Sequence, residues 1–204
     1  MIETKTSQQF LQAVKERRSY YGISKEEVIP QEKIEEIIAE AIKHTPSAFN
    51  SQSSRVIVLF GEEHDKFWNV TEDELRKVVP AEAFQPTEEK MAAFRNGSGT
   101  VLFFEDQNVV KGLQEQFALY AENFPIWSEQ SSGIASMSVW AAFTDNNIGA
   151  SLQHYNPLID ADVQKEWDLP TSWKLRGQMP FGSIETLPAE KSYMDDQERF
   201  RVFK

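Results

Sequence analysis

Apolar residues recur at helical spacing in two segments near the start of the chain. The first segment, residues 7–18, predicts a helix that ends near Gly22. The second segment, residues 30–44, carries a stripe of isoleucine and alanine with Glu and Lys on the opposite face, which predicts a longer amphipathic helix. Pro46 ends this helix, because the residue before a proline disfavours the helical conformation.

Short continuous apolar runs follow and predict buried strands. These runs are residues 55–60 (RVIVLF), 100–105 (TVLFFE) and 173–184, while residues 148–155 (IGASLQHY) predict a strand running into a loop. Gly97-Ser98-Gly99 precedes a strand, whereas a dinucleotide-binding fingerprint follows a strand and opens a helix. We therefore interpret these glycines as a turn.

Helical patterns separate the strands. Residues 62–96 are charged and broadly helical, residues 109–122 and 160–167 predict further helices, and residues 128–146 are apolar on several sides. A helix of the last kind must be buried, either within the domain or against a second subunit. Residues 185–204 have no packing pattern of their own and should dock on a partner surface. The order of elements predicts an α+β fold with a layered sheet.

Composition sets limits on function. A chain of 204 residues with 40% hydrophobic positions predicts one domain over residues 1–204. The absence of cysteine, the polar start and the lack of a long apolar run lead us to expect a cytoplasmic protein that does not enter the membrane. The net charge of −11 argues against nucleic acid as a partner. The three histidines lack metal-ligand spacing, so we expect no metal site.

The arginines are unevenly distributed along this acidic chain. Four of the eight lie close to the chain ends, at Arg17, Arg18, Arg199 and Arg201. Guanidinium groups bind phosphate through charge-assisted hydrogen bonds that the field of an acidic protein cannot replace. The pairs predict a phosphate site, with solvated surface arginines as the alternative that remains open.

Two segments resemble motifs of nitroreductase-family flavoproteins. Arg17-Arg18-Ser19 resembles their Arg-Arg-Ser motif, and residues 46–52 (PSAFNSQ) are similar to their Pro-Ser-x-x-Asn-x-Gln segment, which borders the flavin ring. Residues 149–156 lie where the family has the loop facing the flavin N5 atom, and Gln130 precedes them at the distance of a flavin-contacting glutamine. The sequence of this loop resembles that of the subgroup of fungal fatty-acid-repression proteins and their bacterial homologues.

The resemblance implies a mixed, mainly antiparallel sheet sandwiched by helices, in an intertwined homodimer with FMN at the subunit interface. It assigns the phosphate and ribityl end to Arg17, Arg18, Ser19, Arg199 and Arg201, the ring to Ser47, Asn50, Gln52 and Gln130, and the N5 side to Leu152, Gln153 and His154. The chain departs from many relatives at Ser53-Ser54-Arg55, where they have Pro-Trp, and at Tyr20-Tyr21. These departures concern the substrate side of the pocket.

The implied activity is electron transfer from NAD(P)H to a small electron-poor acceptor, such as a nitroaromatic compound or a quinone. Hydride would pass to flavin N5, and the acceptor would take the electrons in a second half-reaction. We expect a main-chain N–H of the Gln153-His154 loop to donate to N5, with no side chain acting as an acid or a base. Two alternatives remain: a flavin-binding regulatory or stress-response protein with little turnover, and an interaction module without a cofactor.

Overall fold

The computed structural model describes residues 6–204, with side chains from Phe10 onward. The predicted domain therefore includes residues 1–5, which lie outside the described part of the chain. The helices are α1 (Thr6–Glu16), α2 (Gln31–Lys43), α3 (Gly61–Val78), α4 (Gln85–Arg95), α5 (Gln107–Gln116), α6 (Asn123–Asp145), α7 (Asp160–Glu166) and α8 (Asp196–Arg199). The strands are β1 (Ile23–Ser24), β2 (Ser54–Phe60), β3 (Gly99–Asp106), β4 (Gly149–Ala150) and β5 (Trp173–Ile184). Short 3-10 helices span Ala48–Asn50, Ala81–Ala83 and Ala118–Tyr120.

The strands form one sheet in the order β1-β5-β3-β2, with β4 also paired to β5. All four strand pairings are antiparallel, and an isolated parallel bridge joins Ser19 to Ala150. A β-bulge interrupts the pairing of β3 with β5 between Phe103 and Phe104. The predicted α+β fold with a mixed, mainly antiparallel sheet is confirmed.

The central strand β3 is buried on both faces. Val101 and Phe103 pack in one core cluster, and Leu102 and Phe104, which point to the opposite face, pack in another. This two-sided burial explains why residues 100–105 form an almost continuous apolar run instead of an alternating one. The predicted arrangement of a sheet between helices is confirmed.

Different helices cover the two faces of the sheet. The first core cluster joins the sheet to α2 and α6 through Ile34, Ile38, Val139 and Phe143. The second cluster joins it to α3, α4 and α7 through Phe67, Trp68, Met91, Phe94, Ile159 and Val163. Helix α6 belongs to the first layer and buries nine side chains between Phe124 and Phe143. The predicted burial of the most apolar helix is confirmed within one chain.

A chain of buried hydrogen bonds crosses the second core. The Trp68 indole donates to Thr100 Oγ1 at 2.9 Å, and Thr100 Oγ1 lies 2.8 Å from His64 Nδ1. His64 Nε2 lies 3.3 Å from the Arg95 carbonyl oxygen. A carbonyl only accepts, so Nε2 carries the proton and Nδ1 accepts from the threonine hydroxyl. The network therefore fits a neutral imidazole.

His64 should make folding sensitive to acid. Burial, which outweighs the hydrogen bond to Arg95, lowers the pKa of His64 from 6.5 to about 4. Between these values the unfolded chain binds a proton that the folded chain does not, so stability is lost as pH falls, by about 3 kcal/mol in total. The check is urea unfolding of the wild type and of His64→Gln across this range. The difference in unfolding free energy between the two proteins should stay constant above pH 6.5, the pKa of His64 in the unfolded chain, and change below it. A constant difference throughout would contradict the prediction.

Three helices have a boundary that differs from the predicted one by more than one residue. Helix α1 ends at Glu16 because the chain then joins the sheet, where the Tyr20 N–H donates to the Ala150 carbonyl at 3.0 Å. Helix α6 begins at Asn123, five residues earlier than predicted, and contains Pro125 as its third residue. Proline is tolerated there because N–H groups in the first turn have no partner within the helix. The predicted helix over 109–122 correspondingly ends at Gln116.

Residues 148–155 form a short strand that runs into a loop, as predicted. Only Gly149–Ala150 pairs regularly with β5, and a single bridge at Gln153 and Gln178 follows. The Ser151 N–H donates to the carbonyl of Pro180 at 3.2 Å, but Pro180 has no N–H to return a bond. The ladder is therefore interrupted, and the following residues are free to form a loop.

The C-terminal segment leaves the packed layers after β5. Leu187, Tyr193, Phe200, Val202 and Phe203 expose between 61% and 89% of their surface in the single chain. Exposed apolar segments of this kind commonly mark an interaction surface. That the segment docks on a partner stays a prediction. Among the described residues, no helix has the length and apolar character that crossing a membrane requires.

Candidate functional site

Three of the residues assigned to the phosphate end lie side by side. Arg17, Arg18 and Ser19 follow the end of α1 and line a pocket of about 530 Å³, which is closed on its other side by residues 186–191. The parallel bridge between Ser19 and Ala150 holds this segment against the sheet. The end of helix α1 thus lets two adjacent arginines face the same pocket.

The two arginines are poorly neutralised. Among the described residues, no carboxylate lies within 4.0 Å of either guanidinium group, while Arg18 donates to the Ala189 carbonyl and Arg17 stacks over Trp140 at 4.3 Å. Partial burial, and then repulsion by Arg18, lower the pKa of Arg17 below its usual value. Two neighbouring cations without an acidic partner favour an anion such as a phosphate group.

The loop predicted to face N5 directly follows β4, the strand whose Ala150 bridges to Ser19. Leu152 and His154 line a pocket together with Gly177 and with Arg176, whose Nε donates to Glu129 at 2.7 Å. A Cβ atom on Gly177 would lie 3.1 Å from Leu152 Cδ1, so the close approach of the loop to β5 leaves little space for a larger residue. The loop is therefore held tightly at this position.

The main chain of Gln153 is already engaged. Its N–H donates to the Gln178 carbonyl at 2.7 Å, and its carbonyl accepts from the Gln178 N–H at 2.9 Å. Gln153 is also buried, and its amide donates to Ser151 Oγ. For the exposed His154, no main-chain N–H bond to another described residue is formed. Of the two main-chain N–H groups predicted as donors to N5, that of Gln153 is thus already bonded. The N–H of His154 is the remaining candidate.

The segment assigned to the flavin ring has a strained backbone. Phe49, Asn50 and Gln52 adopt φ angles of 56°, 50° and 47°, a region that costs about 1–2 kcal/mol for each ordinary side chain. Local hydrogen bonds oppose this cost, because the Gln52 N–H donates to Ser47 Oγ at 2.9 Å and the Asn50 N–H to the Ser47 carbonyl at 3.0 Å. Asn50 and Gln52 remain exposed. Strain of this kind is typical of functional loops.

Ser47 and Gln130 come together at one pocket. The pocket has a volume of about 400 Å³, with residues 46–49 forming one wall and one face of α6 the other. Phe49 stacks on Trp127 across it, with ring centroids 5.9 Å apart and an angle of 20° between the ring planes. The aromatic rings of Phe117, Tyr120 and Phe124 surround this pair. We call this the ring pocket.

Helix α6 separates the ring pocket from the N5 loop. Trp127, Gln130, Ser131 and Ile134 line the ring pocket, whereas Glu129, Ser132, Gly133 and Ser136 line the pocket beside His154. At about 100° per residue, the two sets point about 160° apart around the helix. The two pockets therefore open on opposite sides of α6 within a single chain.

The C-terminal arginines do not line the phosphate-end pocket in the single chain. Arg199 belongs to the short helix α8, where its Nη2 donates to the Met194 carbonyl at 3.1 Å and its Nε lies 3.7 Å from Asp196. Arg201 is exposed two residues later. The structure therefore brings Arg17, Arg18 and Ser19 together but leaves Arg199 and Arg201 apart from their pocket lining.

Several pocket residues were missed from the sequence. Phe49 and Trp127 lie 78 positions apart, and Arg176 and Glu129 pair across 47 positions, so no local pattern could have joined them. The aromatic residues clustered over 117–127 were the one available signal. For metals, the described residues contain no group of three or more His, Cys, Asp or Glu side chains placed to hold an ion.

Comparisons with known proteins agree on one family. The family model described as "Nitroreductase family" matches residues 14–183. The chain is 35% identical to HBN1 of Saccharomyces cerevisiae over 191 residues, which are 91% of this chain and 93% of that protein.

Solved structures extend the match to the whole fold. Nitroreductase CinD from Lactococcus lactis in complex with nicotinic acid is 51% identical and superposes with a TM-score of 0.89, covering 96% of this chain and 100% of that chain. The same protein has also been solved in complex with 4-nitrophenol. A nitroreductase with bound FMN from Desulfitobacterium hafniense DCB-2 shares the fold at 18% identity, with a TM-score of 0.70 and coverage of 96% and 98%. This chain belongs to the nitroreductase family.

Proposed function

We propose that two copies of this chain bind FMN between them and use it to pass electrons from NAD(P)H to a small electron-poor acceptor. The observation that carries this proposal is the placement of two sets of pocket residues on opposite faces of α6, because each set would then supply half of a flavin site. A homodimer brings one set from each copy to a shared ligand, as two-fold interfaces allow. Membership of the nitroreductase family supports the same arrangement.

The phosphate end of FMN would be held by Arg17, Arg18 and Ser19. The guanidinium groups of Arg17 and Arg18 meet no carboxylate among the described residues, and all three residues border a pocket large enough for a phosphate group. The donor set therefore fits FMN. Arg199 and Arg201 would close over the phosphate when the exposed C-terminal segment docks against the second copy.

The ring would lie between the two copies. Ser47, Asn50, Gln52 and Gln130 of one copy would hold its polar edge and one face, and Leu152 and Gln153 of the other copy would border the N5 side. The His154 N–H would be the donor toward N5, because the Gln153 N–H is bonded to Gln178. A main-chain N–H at a fixed position would direct the incoming hydride to N5, and no side chain would have to gain or lose a proton.

When bound, FMN would supply the redox chemistry, namely hydride acceptance from NAD(P)H in one half-reaction and electron donation to the acceptor in the next. The chain's own part is to bind and orient the reactants and to limit access of water. The imidazole of His154 is exposed and needs no role as an acid or a base. If both reactants bind at one site in turn, the first product would have to leave before the acceptor enters.

The aromatic residues that line the ring pocket favour a flat, electron-poor acceptor. Phe49 and Trp127 offer electron-rich faces that stack with electron-poor rings, such as those of nitroaromatic compounds and quinones. The complex of the related CinD protein with 4-nitrophenol supports this class. We therefore propose nitroaromatic compounds and quinones as acceptors.

Steady-state kinetics tests the function. Protein reconstituted with FMN should oxidise NADH or NADPH far faster when a nitroaromatic compound or a quinone is added than with free FMN alone. Double-reciprocal plots at several acceptor concentrations should give parallel lines, because the two half-reactions share one site in turn. Intersecting lines would contradict this order. Turnover no faster than that of free FMN would favour a regulatory flavoprotein over an enzyme.

A further inference from the structure

Glu105 is a fully buried carboxylate at the end of β3, behind the ring pocket. Its side chain is 0% exposed, and no basic group of the described residues lies within 4.0 Å of it. A buried charge without a counter-ion is costly unless several donors satisfy it. Such a group calls for an explanation that packing alone does not supply.

Three serine hydroxyls satisfy this carboxylate from two separate walls. Ser53 Oγ and Ser54 Oγ each donate to it at 2.5 Å, from the residues that directly follow the strained ring segment. Ser128 Oγ donates at 2.9 Å from α6, two residues before Gln130. The Asp106 N–H adds a bond to the Ser53 carbonyl at 2.9 Å. One carboxylate thus ties both walls of the ring pocket to the central strand.

The hydrogen bonds of Glu105 are made next to the segment with the most strained backbone. Three of the five non-glycine residues with positive φ among the described residues lie in this segment, at Phe49, Asn50 and Gln52. A strained segment persists only when its surroundings hold it. Fixing its C-terminal end at Ser53, and fixing α6 at Ser128, keeps Ser47 and Gln130 at a constant separation.

We infer that Glu105 is a positioning residue for the flavin, holding the two walls of the ring pocket in register through Ser53, Ser54 and Ser128. The inference rests on the proposed flavin site. Glu105 lines none of the pockets that contain the assigned residues and acts only through the serines. Charge-assisted bonds are about twice as strong as neutral ones, so a carboxylate suits this task better than an amide.

The test compares Glu105→Gln with the wild type in binding FMN. Glutamine keeps the shape but removes the negative charge that strengthens the three serine bonds, so we expect the Kd for FMN to rise about 10- to 100-fold. The visible spectrum of the bound flavin should also shift, because the ring environment changes. Flavin fluorescence titration and absorbance measure both effects at a temperature where circular dichroism shows folded protein. Ser128→Ala, which alters only the α6 wall, should raise the Kd in the same direction and have little further effect in the Glu105→Gln background.

Thr100→Val is the matched control, because Thr100 lies on the same strand and its buried hydroxyl bonds only within the second core. It should lower the thermal midpoint while leaving the Kd and the spectrum unchanged. An unchanged Kd and spectrum in Glu105→Gln would overturn the inference, as would an equal loss of FMN affinity in Thr100→Val. Wild-type protein that leaves flavin fluorescence unchanged would instead overturn the proposed function.

Discussion

Protein carrying Arg17→Ala and Arg18→Ala is expected to purify without FMN. Each guanidinium group bound to a phosphate contributes about 1.5–3 kcal/mol, so losing both should raise the Kd about 10²- to 10⁴-fold. Arg17 and Arg18 lack an acidic partner among the described residues, so their removal leaves no described carboxylate unpaired. The absorbance ratio of flavin to protein gives the occupancy, and fluorescence titration gives the Kd.

Riboflavin and a second arginine variant separate phosphate binding from general damage. Riboflavin lacks the phosphate group, so its affinity should be the same for the double variant and the wild type. Arg76→Ala removes an arginine that pairs with Glu72 and Glu88 on α3 and α4, and it should retain FMN. Full FMN occupancy in the double variant would refute the phosphate assignment.

Two binding-deficient variants are expected to restore FMN binding when they share a dimer. The first carries Arg17→Ala with Arg18→Ala, and the second carries Ser47→Ala with Gln130→Ala, which removes polar groups of the ring pocket. If each site takes its phosphate end from one copy and its ring pocket from the other, every mixed dimer contains one intact site. Equal mixing, with random reassembly after unfolding, should restore about one quarter of the wild-type sites.

The matched control places all four substitutions in one chain and mixes it with the wild type. Shared sites predict that about one quarter of all sites bind tightly, whereas sites built within one chain predict about one half. FMN titration of the reassembled protein counts the tight sites, and sedimentation measures the fraction of dimer. No recovery in the first mixture, with about one half in the control, would rule out the shared site.

Much of the fold could be predicted because hydrophobic periodicity reports local geometry. The strand predicted over residues 173–184 coincides with β5, and the helix predicted over 30–44 agrees with α2 within one residue at each end. Less predictable were positions where a distant partner decides the structure. After Glu16 the chain leaves the helix and pairs with the sheet, where the Tyr20 N–H donates to the Ala150 carbonyl. Pro180, which has no N–H, interrupts the pairing of the strand that begins at Gly149.

For the candidate site, the sequence by itself determined which residue types are present and in what order: paired arginines, a polar ring segment and an amide-rich loop. These depend on neighbours along the chain and on resemblance to the nitroreductase family, a family match that is confirmed. Only the tertiary structure decided that Ser47 meets Gln130 and that α6 turns Gln130 away from His154. It also decided that Glu105 gathers serines from two walls. The physical reason is that side-chain direction around a buried helix, and pairing across a sheet, arise from packing between segments far apart in the chain.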